Sequence, residues 1–279
     1  GRRALWSNTT ASYNTALGPA ALFYNTTGAS NVAVGSGALY NNTTASNNTA
    51  VGHNSLIANT TGAANVAMGL SALESNTTAS NNTALGYNSL AANTTGDRNV
   101  AVGTLALDAN TTADANTAVG YEALTTNTTA EGNTAVGFGA IRLNTTGGSN
   151  TGIGQNALNA NTTASNNTAV GQASLAANTT GSSNTAVGKS ALEANTDGTE
   201  NTALGIYALQ ANTTADFNVA VGYKAGTHSV GLTTGNTNTI IGSYAHTSAV
   251  NSSSTNIFGH NVIGVAGYTT IGVDGNDIR

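Results

Sequence analysis

The sequence repeats itself every 17 residues. Asn14, Asn31, Asn48, Asn65, Asn82, Asn99, Asn116, Asn133, Asn150, Asn167, Asn184, Asn201 and Asn218 fall in step without an insertion or deletion. The unit reads N-[TV]-A-[VL]-G-x-x-[AS]-L-x-x-N-T-T-[GA]-x-x, with the Asn taken as position one. Position five is Gly in all thirteen copies (Gly18, Gly35, Gly52, Gly69 and onward to Gly222), and position four is always Val, Leu, Ile or Met. Helical repeats run to about 34 to 47 residues, and a Gly in every short unit beside Asn-Thr-Thr is hostile to helix. Ala4, Leu5, Asn8, Thr9 and Thr10 fit positions eight, nine and twelve to fourteen of a preceding unit, the mark of a longer array.

Within the unit, N-[TV]-A-[VL]-G alternates. Positions two and four share one face, Asn and Ala the other, which predicts a short strand with positions two and four on an apolar inner face. The Ala-Leu pair at positions eight and nine predicts a second extended segment, and Asn-Thr-Thr-Gly/Ala has turn chemistry. One repeat is then one coil, and the expected fold is an all-β parallel β-solenoid of 17-residue coils. Coils stacked about 4.8 Å apart would make a rod about 70 Å long. Identical residues stack in register, so the invariant Asn column from Asn14 to Asn133 is expected to form amide ladders along the axis. The column headed by Gly18, Gly35, Gly52 and Gly69 is counted in the same structural ladder. Two large inward side chains per coil, such as Val51 and Leu56, make a thin core. Apolar surface from neighbouring chains would compensate, and the expected assembly is a parallel homotrimer about a threefold axis.

The period falters after Gly222, where Ala225-Gly226-Thr227-His228-Ser229-Val230-Gly231-Leu232 replaces the Ala-Leu step. Altered units return at Asn238-Thr239-Ile240-Ile241-Gly242, Thr255-Asn256-Ile257-Phe258-Gly259 and Tyr268-Thr269-Thr270-Ile271-Gly272, with Gly spacings of 20, 17 and 13. The expected organisation is a regular solenoid over residues 1–226 and irregular coils or a cap with longer loops over 227–279, ending on a turn at Asp274-Gly275-Asn276-Asp277.

Composition narrows the function. Charged residues make up 7% and aromatics 5%, with one proline, Pro19, and a net charge of −5. Seven Lys and Arg, scattered, provide no basic surface for nucleic acid. No apolar run reaches the roughly 18 residues of a membrane-spanning helix, and Gly1-Arg2-Arg3-Ala4 opens no signal peptide. There is no cysteine, hence no disulfide or thiolate metal site. His53, His228, His246 and His260 lie in different coils without metal-ligand spacing. Asp97 and Asp114 occupy equivalent positions one coil apart and would stack near 5 Å, a cation-site candidate weighed against two solvated charges. Gly152-Ile153-Gly154 is the repeat with Gly at the Ala position rather than a dinucleotide fingerprint, and no G-x-S-x-G nucleophile elbow occurs. The Asn-Thr-Thr triplets match glycosylation acceptors but read as turn and ladder residues. No catalytic residue, cofactor or metal site is expected, and the chain does not read as an enzyme.

The repeat resembles two related groups, the YadA-like heads of trimeric autotransporter adhesins and the repeat shafts of phage-type tail fibres. The likeness covers residues 4–226 closely and 238–272 more loosely. It implies a left-handed parallel β-roll packed as a homotrimer, on a cell surface or a virion fibre. It also implies an extracellular structural and adhesive shaft that presents or contributes to attachment, with a cell-surface glycan or protein receptor as partner and no membrane insertion by this segment. Tyr87, Tyr121, Phe138 and Tyr207, at variable positions six and seven, are the expected receptor contacts. The alternative is an ice-binding β-solenoid using Thr and Asn ladders. It is weighed down by adjacent Thr26 and Thr27, which would point opposite ways if extended. A β-helical polysaccharide lyase or hydrolase lacks its acidic and basic cluster.

Overall fold

The computed structural model describes residues 1–227, 231–273 and 276–278, with side chains through 273. The expectations placed on His228, Asp274 and Gly275 lie outside the described residues. The chain is an all-β parallel β-solenoid divided into two compact units, Gly1–Val136 and Gly137–Arg279. The first holds eight strands of three residues each: β1 (Thr15–Leu17), β2 (Val32–Val34), β3 (Thr49–Val51), β4 (Val66–Met68), β5 (Thr83–Leu85), β6 (Val100–Val102), β7 (Thr117–Val119) and β8 (Thr134–Val136). Each pairs in parallel with the next at an offset of one repeat, from Thr15 opposite Val32 to Thr117 opposite Thr134. The second unit continues the pattern with β9 (Thr151–Ile153), β10 (Thr168–Val170), β11 (Thr185–Val187), β12 (Thr202–Leu204), β13 (Val219–Val221) and β14 (Thr239–Ile241). Its altered coils add β15 (His246–Thr247), β16 (Asn256–Phe258), β17 (Ile263–Gly264), β18 (Thr269–Val273) and β19 (Asn276–Ile278). β14, β16 and β18 pair in parallel, β15 pairs with β17, and β19 turns back antiparallel onto β18.

The strands face the opposite way from the sequence expectation. Asn48 and Ala50 are fully buried, while Thr49 and Val51 on either side of Ala50 are only half-buried and point outward. The same inversion recurs in both units, with Ala33, Ala67, Ala101, Ala169 and Ala203 fully buried. Alternation identified the two faces correctly but not which one the coil closes around. The lumen decides: it already holds the position-nine Leu, and only a small residue fits across from it. Where Ile141 replaces that Leu, the next coil carries Gly152 instead of Ala, and a Cβ there would lie 2.6 Å from Ile141 Cγ1.

The position-eight and position-nine residues are not extended. Ala21 and Leu22 are both fully buried, whereas consecutive residues of a strand point to opposite faces. The backbone resolves this by switching hand at the leucine, with φ near +51° at Leu22, Leu39, Leu56 and Leu107. Positions seven and seventeen are also left-handed, as at Asn54 (+58°) and Asn47 (+63°). Each such L-residue costs about 1–2 kcal/mol, which the fully buried Leu and the inter-coil hydrogen bonds offset. Leu39 N–H donates to Ser55 O at 3.0 Å and Leu56 N–H to Ala72 O at 3.1 Å, so the turn is laddered as the strands are. Position five sits at φ of +131° to +143° through the regular coils, a region open to glycine alone.

Each coil fills its own interior. Leu90, Ala84, Asn82, Ser89 and Asn93 all have no exposed surface. The core contributes one large side chain per coil rather than two, and that side chain is covered by its own chain.

Candidate functional surfaces

Two asparagine columns run inside the coils. At position one, Asn14 Nδ2 donates to Gly28 O at 2.8 Å, and its Oδ1 accepts the main-chain N–H of Asn31 at 2.8 Å. The pattern repeats at Asn31, Asn48, Asn65, Asn82, Asn99 and Asn116. This differs from an amide-to-amide ladder, because the link between coils is main-chain to side-chain. At Asn201, Asn218 and Asn238 an amide–amide contact of 3.2, 3.2 and 2.9 Å is added.

The amide-to-amide ladder lies at position twelve. Asn42 donates to Asn25, Asn59 to Asn42, Asn76 to Asn59 and Asn93 to Asn76 at 2.8–3.0 Å, each also donating to the position-fifteen carbonyl of its own coil. Asn42, Asn59, Asn76 and Asn93 are therefore buried with both amide protons engaged, which leaves no free amide nitrogen for glycosylation at these four. Position-thirteen hydroxyls form a third column, Thr26 Oγ1 donating to Thr43 O at 3.0 Å and Thr60 Oγ1 to Thr77 O at 3.0 Å. Thr27, one residue on, is exposed. All three columns hold the coils at a fixed pitch.

On the outside, the strands present two rows. Position two is Thr15, Val32, Thr49, Val66, Thr83, Val100, Thr117 and Thr134 in the first unit, and Thr151, Thr168, Thr185, Thr202, Val219 and Thr239 in the second. Position four beside it is Val, Leu, Ile or Met throughout, with Leu17, Met68, Ile153, Leu204 and Ile241 well exposed. Neither row contains a charged residue. The position-two Thr row went unrecognised in the sequence because its strand face was assigned to the interior.

Tyr87, Tyr121 and Phe138 are exposed at position six, at the corner beside this sheet face. Tyr87 and Tyr121 stand two coils apart and form no cluster with each other. Tyr207 does sit in one, its ring 6.2 Å from Tyr223, with Lys224 Nζ within 6 Å of the Tyr207, Tyr223 and Tyr244 rings. A second aromatic group escaped the sequence reading. Trp6, Phe23 and Tyr40 share position ten and stack at 6.4 and 5.1 Å, with Tyr24 edge-on to the last two. The Tyr24 hydrogen bond is the main cause raising the Tyr40 phenol above its ordinary range. The 17-residue spacing of these three aromatics was the available signal.

The acidic pair is committed to the backbone. Asp97 Oδ1 accepts the Ser80 N–H at 2.6 Å, Asp114 Oδ1 accepts the Asp97 N–H at 2.7 Å, and Asp114 Oδ2 pairs with Arg98 at 2.8 Å. Ser46 and Ser80 hydroxyls cap the same N–H elsewhere, so the position caps the coil whatever its charge. Among the described residues no group of three or more His, Asp or Glu could hold a metal, no concave pocket opens, and no helix is long and apolar enough to cross a membrane. What this architecture can offer is a repeated surface. No known protein family, curated protein or solved structure matches this chain.

Proposed function

We propose that the chain is an ice-binding β-solenoid, with the outward sheet face as the binding surface. The observation that carries the reading is the position-two row, Thr or its isostere Val in each coil from β1 to β14, facing out from strands in regular register. With the position-four row it makes a grid of about 4.8 Å by about 6.6 Å, a regular spacing on the scale of an ice lattice. Each Thr supplies a hydroxyl and a methyl, and the absence of charge leaves no strongly hydrated group to disturb ordered water. The Thr26 and Thr27 arrangement, which counted against this reading, concerns a different part of the coil. The test is thermal hysteresis of the chain against a control protein of equal concentration. A clear excess that collapses in a Thr168→Lys/Thr185→Lys variant supports the reading, and no excess overturns it.

A second reading is the structural and adhesive shaft of an extracellular trimeric fibre. It is favoured by the bulk of the position-four row, where Leu17, Met68, Ile153 and Leu204 present apolar surface suited to another protein chain. In that reading the handedness is left, the face is buried between three copies, and attachment to a glycan or protein receptor falls to Tyr87, Tyr121, Phe138 and Tyr207. A single-chain mass by light scattering at micromolar concentration would sink it. A trimer mass without hysteresis would sink the ice reading instead.

A further inference from the structure

In the second unit the position-twelve ladder runs from Asn144 through Asn161, Asn178 and Asn195 to Asn212, each amide donating to the one before at 2.7–3.1 Å. It stops there. The following coil is longer, with Asn238 20 residues after Asn218, and Thr233 takes the position-thirteen place beneath Thr213. Leu232, fully buried, therefore stands on the next rung, where it has no amide to donate. Asn212 Oδ1 is left buried without a partner.

The inner leucine column fails at the same coil. Leu209 is followed by Gly226 and then by His246, as the hydrogen bonds from Leu209 to Ala225 O and from Gly226 to Ala245 O align them. One coil thus loses both the ladder bond and the inward position-nine Leu or Ile of the regular coils, and fully buried Ile240 of β14 closes on Gly226 in its place. What still crosses it is the sheet and backbone ladders, the position-one contact of Asn238 with Asn218, the hydroxyls of Thr213 and Thr233, the caps on the Asp216 and Asn236 N–H groups, and the Tyr207–Tyr223–Tyr244 ring contacts on the outside. In a stack where each coil touches only its neighbours, stability is a sum of coil and interface contributions, and opening from an end halts at the strongest change in interface.

We infer that this coil is a built-in breakpoint, and that the coils carrying β14, β16 and β18 open together as one cooperative unit while β9–β12 stay folded. The interruption of the period after Gly222 thereby has a mechanical meaning: the irregular coils are a separable piece of the stack.

Hydrogen exchange followed by mass spectrometry on the intact chain tests this. The expected profile is a step, with amides of 239–241, 256–258 and 269–271 sharing one protection level about tenfold or more below that of 168–170 and 185–187. Equal protection on both sides, or a smooth decline without a step, overturns the inference. Asn178→Leu transplants the defect into a regular coil and is expected to create a second step there. A profile unchanged by that substitution overturns the assigned cause, and if the variant does not fold, the parent profile alone decides.

Discussion

Gly86 shows how little freedom a single position in this coil has. Its φ is +140°, and an added Cβ would meet the Gly103 carbonyl carbon at 2.7 Å, with the oxygen closer still. Both strain and collision penalise a side chain, so Gly86→Ala is expected to lose about 3 kcal/mol or more, read from the shift in urea midpoint. Asn93 is similarly bound, donating to Asn76 and Gly96 and accepting from Asn110. Asn93→Ala leaves these buried groups short of partners and is expected to lose about 2–4 kcal/mol, whereas a substitution at exposed Thr95 should be near neutral. The invariance of these Gly and Asn residues was legible in the sequence. The bond each Asn makes was not, because an invariant column is compatible with amide-to-amide or main-chain linkage alike.

At the scale of a strand or turn, alternation located β1 to β14 but placed their faces the wrong way round. The reason is visible in Gly152 and Ile141, since a lumen already holding the position-nine Leu or Ile is too narrow for a Val or Leu from the strand, and β14 admits Ile240 only where Gly226 takes that position. Gly152→Ala is expected to destabilise by about 1–3 kcal/mol through overpacking, and Ile141→Leu in the same chain to recover most of that loss. Full additivity in this double-mutant cycle would contradict the tight lumen. The Ala-Leu turn could not be read from propensity, because Leu rarely adopts positive φ and does so here only to bring two consecutive side chains inward. One side chain on this outer turn links stability to pH. Burial raises the Asp108 carboxyl above its ordinary range, against the opposing hydrogen bond from Thr125 Oγ1 at 2.5 Å. A raised value means the folded state favours the neutral acid. The contribution is therefore complete below the unfolded-state value and lost as pH rises through the folded one. Asp108→Asn should raise the urea midpoint at about pH 7 and lose its advantage near pH 3.

For the molecule as a whole, the solenoid and its 17-residue coil follow from the period, which no helical repeat could satisfy. The functional surface does not, because Thr49 and Val51 look equally suited to a core or an outer face until the coil is closed. Turning them outward leaves one large inward side chain per coil, covered within the chain itself. It also supplies the regular Thr row that the ice-binding reading needs and the apolar row that a trimer would need. Both functional readings rest on that inversion. The absence of cysteine makes it directly measurable. Single cysteines at Ala169 and Val170 can be challenged with a thiol reagent under native conditions. The account predicts that Val170→Cys in the monomer reacts at close to the rate of a free thiol, while Ala169→Cys is protected until the chain unfolds. Rapid labelling at 169 with protection at 170 in a monomer of confirmed mass would contradict it.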